Sequence, residues 1–355
     1  RNRYQLFNIE QEQKTTHKNH RLAEIESALA KEEFCLYYQP KVNMVTGNVF
    51  GVEALIRWNH PEHGLISPLD FLPIIDGTDL DIQIGEWVTN EALAQLELWQ
   101  NQGIQLEVSI NISARHLLFD TFEDHLDTAL AKYPAVNSQS LQLEILESSV
   151  LGDVNAITQI IKTCQNTLGV SFALDDFGTG YSSLTHLRNL PAGTVKIDQS
   201  FTRDMLDDPS DYAIVEGVIG LANAFNRDVI AEGVETTAHG LMLLLMGCEQ
   251  AQGYGIAKPM PAEEIANWMS NYRANHEWKL CGSKLRSKKE SERKLFRLTT
   301  DQWQKKFIES ILSEPKAPNI WPILDDKLCP CGSWLKRAKR AQLFKREGLK
   351  RIEQA

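Results

Sequence analysis

Two adjacent carboxylates, Asp175 and Asp176, directly follow an apolar run at 170–174 that predicts a buried strand. A loop rich in glycine and hydroxyl groups follows at 177–184. Neighbouring anions at the end of a buried strand repel each other and lose hydration, so they need a compensating positive charge. A divalent cation bound by both carboxylates would supply it. For the pair alone a solvated turn is the simpler explanation, and the rest of the chain decides between the two.

Polar residues also interrupt the apolar alternation of six further predicted strands, close to where each strand ends. One such interruption is usually a structural hydrogen bond or ion pair, but seven strands in succession are difficult to explain in that way. Because the strand ends of a parallel barrel converge on one mouth, we expect these side chains to meet there. The interrupting residues are Glu53, Asn111, Glu144, Lys196, Glu232, Glu235 and Gln252.

Carboxylates and an amide oxygen are hard ligands that suit Mg²⁺ or Mn²⁺ better than Zn²⁺. The predicted mouth holds more carboxylates than one ion requires, which indicates two ions bridged by one aspartate. Paired ions of this kind support the in-line attack of water on a phosphodiester. Lys196 is the cation among these anions, and it could orient the attacking water or help to deprotonate it. A structural ion pair inside the cage is the alternative role for Lys196.

Strands and helices alternate over roughly 240 residues, the length of a (β/α)8 barrel. The short turn at 46–48 predicts that the first two strands form an antiparallel hairpin. The fold class is therefore α/β, a modified TIM-like barrel with an antiparallel first strand. A doubly wound open sheet is disfavoured because no early strand is followed by a Gly-x-Gly-x-x-Gly turn. The predicted strands are 34–42, 49–58, 106–112, 141–148, 170–174, 194–197, 228–233 and 250–258.

The net charge of −10 is divided unevenly along the 355 residues. Residues 273–355 contain 21 Lys and Arg against 10 Asp and Glu, whereas the preceding residues contain 16 against 37. Residues 1–272 are too acidic to hold a polyanionic substrate by their overall charge. Metal ions or a few basic residues placed at the site would be needed for such a substrate. The basic end could contact nucleic acid or a membrane surface, but a solvated helical segment is the more common explanation.

The chain begins with Arg rather than Met, and we expect it to be part of a longer protein. We expect no signal peptide, and no apolar run in this sequence comes near the ~18 residues of a membrane span. The six cysteines are mostly scattered, which predicts reduced thiols and a cytoplasmic location, although the parent protein could be membrane-anchored.

From about 34 to 272 the sequence resembles the EAL-domain family, the phosphodiesterases of cyclic di-GMP. The three letters Glu53-Ala54-Leu55 alone would carry little weight, but many motifs occur in the family's order. These motifs are Tyr38-Gln39-Pro40, Glu53-Ala54-Leu55-Ile56-Arg57-Trp58, His60-Pro61, Gly64-Leu65-Ile66-Ser67-Pro68, Asn111-Ile112-Ser113, Glu144, Asp175-Asp176-Phe177-Gly178-Thr179-Gly180-Tyr181-Ser182-Ser183-Leu184, Lys196-Ile197-Asp198, Ala231-Glu232-Gly233-Val234-Glu235-Thr236 and Gln252-Gly253-Tyr254.

The resemblance implies hydrolysis of one phosphodiester bond of cyclic di-GMP, which gives linear pGpG, with two Mg²⁺ or Mn²⁺ ions and a homodimer. It assigns the first ion to Glu53, Asn111, Glu144 and Asp175. It assigns the second ion to Asp175, Asp176 and Glu232. It places Lys196, Glu235 and Gln252 around the reacting water, with Glu53 also counted as catalytic.

The resemblance further implies that Gln39, Leu55 and Arg57 contact the dinucleotide. An arginine at position 57 suits a charge-assisted phosphate contact. Glu147 would anchor the loop that follows Asp176. Leu146 and Asp76 depart from the family's usual Thr and Glu, and neither is an implied metal ligand.

The flanks suggest three domains. Residues 1–20 resemble the end of an upstream GGDEF-like domain with a linker, 21–273 form the EAL phosphodiesterase barrel, and 274–355 form a basic, mostly helical extension. The stretch from Cys329 to Leu335 resembles a zinc-binding segment of chemoreceptor type. No histidine follows His276, so a complete site of that kind cannot lie in this tail as given. The missing ligands could lie beyond Ala355, the site could be lost, or Cys329 and Cys331 could be two ordinary thiols at a turn before a helix.

Two alternatives to catalysis remain. The first is a receptor module that binds cyclic di-GMP without cleaving it, which such relatives usually achieve by losing metal ligands. The second is a nucleic-acid or membrane scaffold that uses the basic end, and we expect neither nucleic acid nor a membrane span in this chain.

Overall fold

A computed structural model of the chain describes residues 9–151, 154–179 and 187–284, together with six isolated positions between Lys294 and Gln304. Ten strands lie in these ranges. They are β1 (Phe34–Asn43), β2 (Val49–His60), β3 (Gly64–Ile66), β4 (Glu107–Asn111), β5 (Leu141–Leu146), β6 (Ser171–Phe177), β7 (Thr194–Ile197), β8 (Asp228–Ala231), β9 (Gln250–Ala251) and β10 (Met260–Pro261).

Eight of these strands close into a barrel in the order β1, β2, β4, β5, β6, β7, β8, β9 and back to β1. Strand β1 runs antiparallel to both of its barrel neighbours, β2 and β9. The other neighbours around the barrel pair in parallel. The short strands β3 and β10 extend the sheet beside β2 and β1. The predicted TIM-like barrel with an antiparallel first strand is confirmed.

Helices surround the barrel and bury the apolar outer faces of its strands. Residues such as Val108, Leu143 and Phe172 on those faces are fully buried, as expected for parallel strands covered on both sides. None of the helices in the described part of the chain is long and apolar enough to cross a membrane. The helices are α1 (Ile9–Ala30), α2 (Leu72–Ile75), α3 (Asp79–Asn101), α4 (Ala114–Leu117), α5 (Phe122–Lys132), α6 (Val154–Thr163), α7 (Gln199–Asp204), α8 (Pro209–Ala224), α9 (Thr237–Met246), α10 (Ala262–Asn271) and α11 (His276–Lys284).

The last barrel strand is shorter than the predicted 250–258, because the chain turns away at Gln252. The backbone of Gln252 bonds to both sides of the preceding loop, donating to Ala231 and accepting from Val234. The next residues press against that loop so closely that a Cβ on Gly253 would lie 2.3 Å from the Val234 nitrogen. The apolar run therefore covers a loop rather than continuing the sheet.

The lower part of the barrel interior is built around a fully buried lysine, Lys41 of β1. Its ammonium donates to Glu107 Oε1 at 2.8 Å, to Ser109 Oγ at 2.5 Å and to Gln142 Oε1 at 3.5 Å. Gly51 of β2 leaves room for the lysine stem, since a Cβ there would lie 3.0 Å from Lys41 Cε. The barrel floor is thus a polar network rather than the apolar layers that usually fill such barrels.

Replacing Lys41 by Ala should lower the free energy of unfolding by about 2–4 kcal/mol, because it leaves the carboxylate of Glu107 without its cation and the buried hydroxyl oxygen of Ser109 without its donor. Urea denaturation would measure this loss. Lys31→Ala is the matched control, because Lys31 is exposed. Equal stabilities of the two variants would contradict a structural role for the floor network.

Candidate active site

Four carboxylates surround the side chain of Lys196 at the mouth of the barrel. Its ammonium lies 2.5 Å from Glu144, 2.8 Å from Glu232, 3.1 Å from Asp175 and 3.3 Å from Glu53. Lys196 is fully buried on β7. Burial alone would lower the pKa of the ammonium, but the surrounding carboxylates hold the pKa of Lys196 well above its usual value. Lys196 is therefore a fixed positive charge, and we call the group around it the carboxylate cage.

One ammonium does not balance the charge of the carboxylate cage. Burial, despite the attraction of Lys196, raises the pKa of Glu144 to about 7. Burial also raises the pKa of Glu232 well above its usual value. Burial opposes ionisation of Glu53 too, yet Lys196 and hydrogen bonds from Gln252 and Asn111 hold its pKa below the usual value. Without a further cation, protons must neutralise part of this site at neutral pH.

The carboxylate oxygens form two triads that share Asp175. Glu53, Glu144 and Asp175 make one triad, and Asp175, Asp176 and Glu232 make the other. Within each triad one oxygen from each residue lies within 4.8 Å of the others. Among the described residues, the buried Oε1 of Glu144 has no hydrogen-bond partner. Such a donor set suits a hard divalent cation, and the shared aspartate allows two of them.

Asn111 stands beside the first triad at the end of β4. Its amide nitrogen donates to Glu53 Oε1 at 2.9 Å, which directs the amide and leaves its oxygen available as a ligand. The strand register sets Asn111 beside Glu144 of β5. The six predicted metal ligands thus lie together at the mouth.

The backbone at the end of β6 brings both aspartates to the cage. Asp176 has a left-handed φ of 51°, uncommon for a residue other than glycine, and the pairing with β7 shifts register here. Its N–H donates to Asp175 Oδ1 at 3.0 Å. Burial, Asp175 and a hydrogen bond with Asp198 raise the pKa of Asp176 to about 7. The left-handed conformation of Asp176 lets the side chains of Asp175 and Asp176 lie at the same site although they are consecutive in the strand.

The loop after Asp176 is tied to the buried carboxylate of Glu147. The N–H of Gly178 donates to Glu147 Oε2 at 3.0 Å. Gly178 has a φ of 107°, which favours glycine. The predicted anchor position of Glu147 therefore agrees with the geometry as far as Thr179, and the rest of the motif, 180–184, lies outside the described residues.

Two glutamines link the cage to the predicted substrate side. Gln252 Nε2 donates to Glu53 Oε2 at 2.6 Å and to Gln39 Oε1 at 2.9 Å. Gln39 in turn donates to the carbonyl of Ala257 at 3.0 Å. Both side chains are buried, so this chain of bonds fixes the orientation of Glu53.

Leu55 and Arg57 follow Glu53 at alternate positions on β2, which places them on the same face nearer the rim. The Arg57 guanidinium lies 5.6 Å from the centre of the Tyr37 ring and donates to the carbonyl of Ile56 at 2.8 Å. Arg57 is half-buried.

Glu235 is a predicted catalytic residue that lies outside the carboxylate cage. It lies in the loop between β8 and α9, and its side chain is exposed. In the described part of the chain no hydrogen bond joins that side chain to the carboxylate cage. The structure also adds Tyr37 and Asp198, to which sequence reasoning assigned no role. A signal existed for each, since Tyr37 precedes Gln39 and Asp198 follows Lys196 at a spacing of two.

Comparisons with known proteins agree with this geometry. A sequence profile of the EAL domain matches residues 22–259. The cyclic di-GMP phosphodiesterase PA2567 of Pseudomonas aeruginosa is 40% identical over 249 residues, which are 70% of this chain and 42% of that protein. The bifunctional diguanylate cyclase/cyclic di-GMP phosphodiesterase MucR of the same organism is 40% identical over 69% of this chain and 36% of its own. The chain therefore spans less than half the length of these relatives.

Solved structures give the same result. The PaMucR phosphodiesterase in complex with c-di-GMP is 40% identical, with a TM-score of 0.66 over 69% of this chain and 99% of that chain. The EAL enzyme Bd1971, in its cAMP- and cyclic-di-GMP-bound form, is 34% identical, with a TM-score of 0.69 over 74% of this chain and 71% of that chain. The chain belongs to the EAL-domain family.

Proposed function

We propose that this chain hydrolyses one phosphodiester bond of cyclic di-GMP and releases linear pGpG. The observation that carries the proposal is the pair of carboxylate triads sharing Asp175 around the buried ammonium of Lys196. The names of the relatives, two of them phosphodiesterases of cyclic di-GMP, support the choice of substrate.

Two divalent ions, Mg²⁺ or Mn²⁺, would supply an activated water and neutralise the phosphate charge when bound. Glu53, Asn111, Glu144 and Asp175 would hold one ion, and Asp175, Asp176 and Glu232 the other. The donor set fits this assignment, because it consists of oxygens only and includes a buried carboxylate oxygen without a hydrogen-bond partner among the described residues.

The chain's own residues would position the reactants. Lys196 keeps its proton and provides a fixed charge that orients water at the mouth. Gln252 and Gln39 hold Glu53 in one orientation through their hydrogen bonds. Arg57, on the rim beside Leu55, would contact a phosphate of the dinucleotide. Glu235 would reach the reacting water from its loop.

The parent protein would extend beyond this barrel. We propose that 1–20 end a GGDEF-like domain and its linker, that 21–273 form the catalytic barrel and that 274–355 form a basic extension. The bifunctional name of MucR supports an upstream cyclase-like domain. We also propose a homodimer, no nucleic-acid partner and a cytoplasmic location, the last supported by four unpaired cysteines in the described ranges. Cys329 and Cys331 lie outside the described residues, and zinc binding there stays a prediction.

Divalent cations should stabilise the protein more at pH 8 than at pH 5.5. The folded-state pKa of Glu144 is about 7 against an ordinary value of 4.5, so the folded state binds this proton more tightly. In a chelator, stability should be greatest below pH 4.5 for this group and fall as pH rises through 7, by about 3 kcal/mol at most. Mn²⁺ would replace the lost proton. Thermal unfolding in EDTA and in Mn²⁺ across this range measures both effects.

Glu144→Gln is the control for this pH dependence, because the amide keeps the shape of the side chain and cannot ionise. We expect the variant to lose much of the fall in melting temperature between pH 5.5 and 8. A Mn²⁺-induced shift that does not depend on pH would contradict the charge imbalance of the cage.

Replacing Glu53 by Ala should lower cyclic di-GMP hydrolysis by at least about 100-fold, because it removes a predicted ligand and catalytic carboxylate. Chromatography of the nucleotides after incubation with Mg²⁺ or Mn²⁺ would follow pGpG directly. Glu62→Ala, at an exposed position in the turn after β2, should retain full activity. Full turnover by the Glu53 variant would disprove the assignment of the site.

The second candidate is a receptor that binds cyclic di-GMP and leaves it intact. Equilibrium dialysis followed by chromatography separates the two functions, since a receptor returns unchanged nucleotide after long incubation with either metal. All the predicted ligands are present in the sequence, which favours catalysis.

A further inference from the structure

The family match ends at residue 259, but the chain beyond it packs against the outside of the barrel domain. Trp278 of α11 is only 3% exposed. Its indole nitrogen donates to the carbonyl of Thr237, the first residue of α9, at 2.8 Å. We call residues 274–284 the docking arm.

Asn275 makes a second connection to the same residue. Its amide nitrogen donates to Thr237 Oγ1 at 2.8 Å. Its amide oxygen accepts from the N–H groups of Glu277 and Trp278 at 2.9 and 3.3 Å, which caps the start of α11. One side chain therefore starts the arm helix and holds the side chain of Thr237.

The surface of α9 is shaped to receive the indole. A Cβ on Gly240 would lie 2.3 Å from Trp278 Cε2 and 2.4 Å from its Nε1, so any larger residue would displace the ring. Farther along the arm, a Cβ on Gly282 would lie 2.7 Å from Val45 Cγ2. At both glycines the packing leaves no room for a side chain, which indicates a specific fit rather than a loose association.

The start of α9 in turn fixes the loop that carries Glu235. Thr236 is the N-cap of α9, and its hydroxyl accepts from the N–H of His239. His239 Nδ1 lies 3.4 Å from the N–H of Glu235 and 3.2 Å from that of Thr236, and it accepts from both. His239 Nε2 then donates to the carbonyl of Arg203 at 3.1 Å. The backbone of Glu235 is therefore set by the geometry of this cap.

We propose that the docking arm positions Glu235 for catalysis, with Trp278 and Asn275 as positioning residues that act through Thr237. This inference rests on the proposed function where it gives Glu235 a role near the reacting water. An exposed carboxylate on a loop keeps one position only if the backbone of that loop is held rigidly. The docking arm holds this backbone through Thr237, and the arm lies outside the family match. Release of the arm would lower activity without removing any group that touches substrate.

The first test uses Trp278→Ala, Gly240→Ala and the double variant. Ala is the better helix former by about 1 kcal/mol, so Gly240→Ala preserves α9 and only excludes the indole. We expect each single variant to speed hydrogen exchange of the backbone amides at 235–240 several-fold, and the double variant to exchange no faster than either. Leu280→Ala, at an exposed position on α11, should leave exchange unchanged. Unchanged exchange in Trp278→Ala would overturn the proposal.

The second test separates positioning from general stability. Trp278→Ala should lower kcat for cyclic di-GMP about tenfold and leave KM within about twofold. In a Glu235→Ala background the same substitution should have no further effect on kcat, because the group that it positions is gone. An equal loss of kcat in both backgrounds would overturn the role assigned to Trp278. If the wild-type chain shows no turnover, the proposed function fails, while hydrogen exchange still tests the docking.

Discussion

The attraction between one buried ammonium and four carboxylates is the interaction on which the barrel mouth depends. Glu53, Glu144 and Asp175 lie on three different strands and Glu232 directly follows β8, and the ammonium of Lys196 contacts all four. Removing either sign alone would leave uncompensated charge in a low dielectric, which costs several kcal/mol. The excess of negative charge that remains favours proton binding, and it is the reason for the divalent cations proposed above. The arrangement of the strand ends and the raised pKa values at the mouth therefore both follow from the burial of four carboxylates around the single positive charge of Lys196.

Much of this site could be predicted because strand side chains alternate with a period of two. That period places Glu53 and Arg57 on one face of β2, and barrel closure brings Asn111, Glu144 and Lys196 to the same mouth. The alternation is a local property, so it can be recognised without the fold. The short turn at 46–48 is also a local feature, and it predicts that β1 runs antiparallel to β2.

The rest depends on contacts between distant segments, which local patterns do not encode. The apolar run after Ala251 resembles a strand, but the approach of Gly253 to Val234 turns it into a loop. Asp176 adopts a left-handed conformation that the neighbouring sequence does not predict. Gly240 and Trp278 fit each other across 38 residues, and neither forms a recognisable motif. Close backbone approach is visible only when both partners are in place.

The reversed direction of β1 determines where the chain enters the barrel. A barrel whose first strand runs parallel to the others receives its leading segment at the floor, far from the chemistry. Here α1 arrives at the mouth, where Glu24 lies 3.1 Å from His60 Nε2 and Glu33 accepts from Trp58 Nε1 at 3.0 Å. His60 and Trp58 belong to β2, the strand that carries Glu53. A rotation or shift of α1 would therefore act directly on β2, so the segment that leads into the barrel meets the carboxylate cage at the same end.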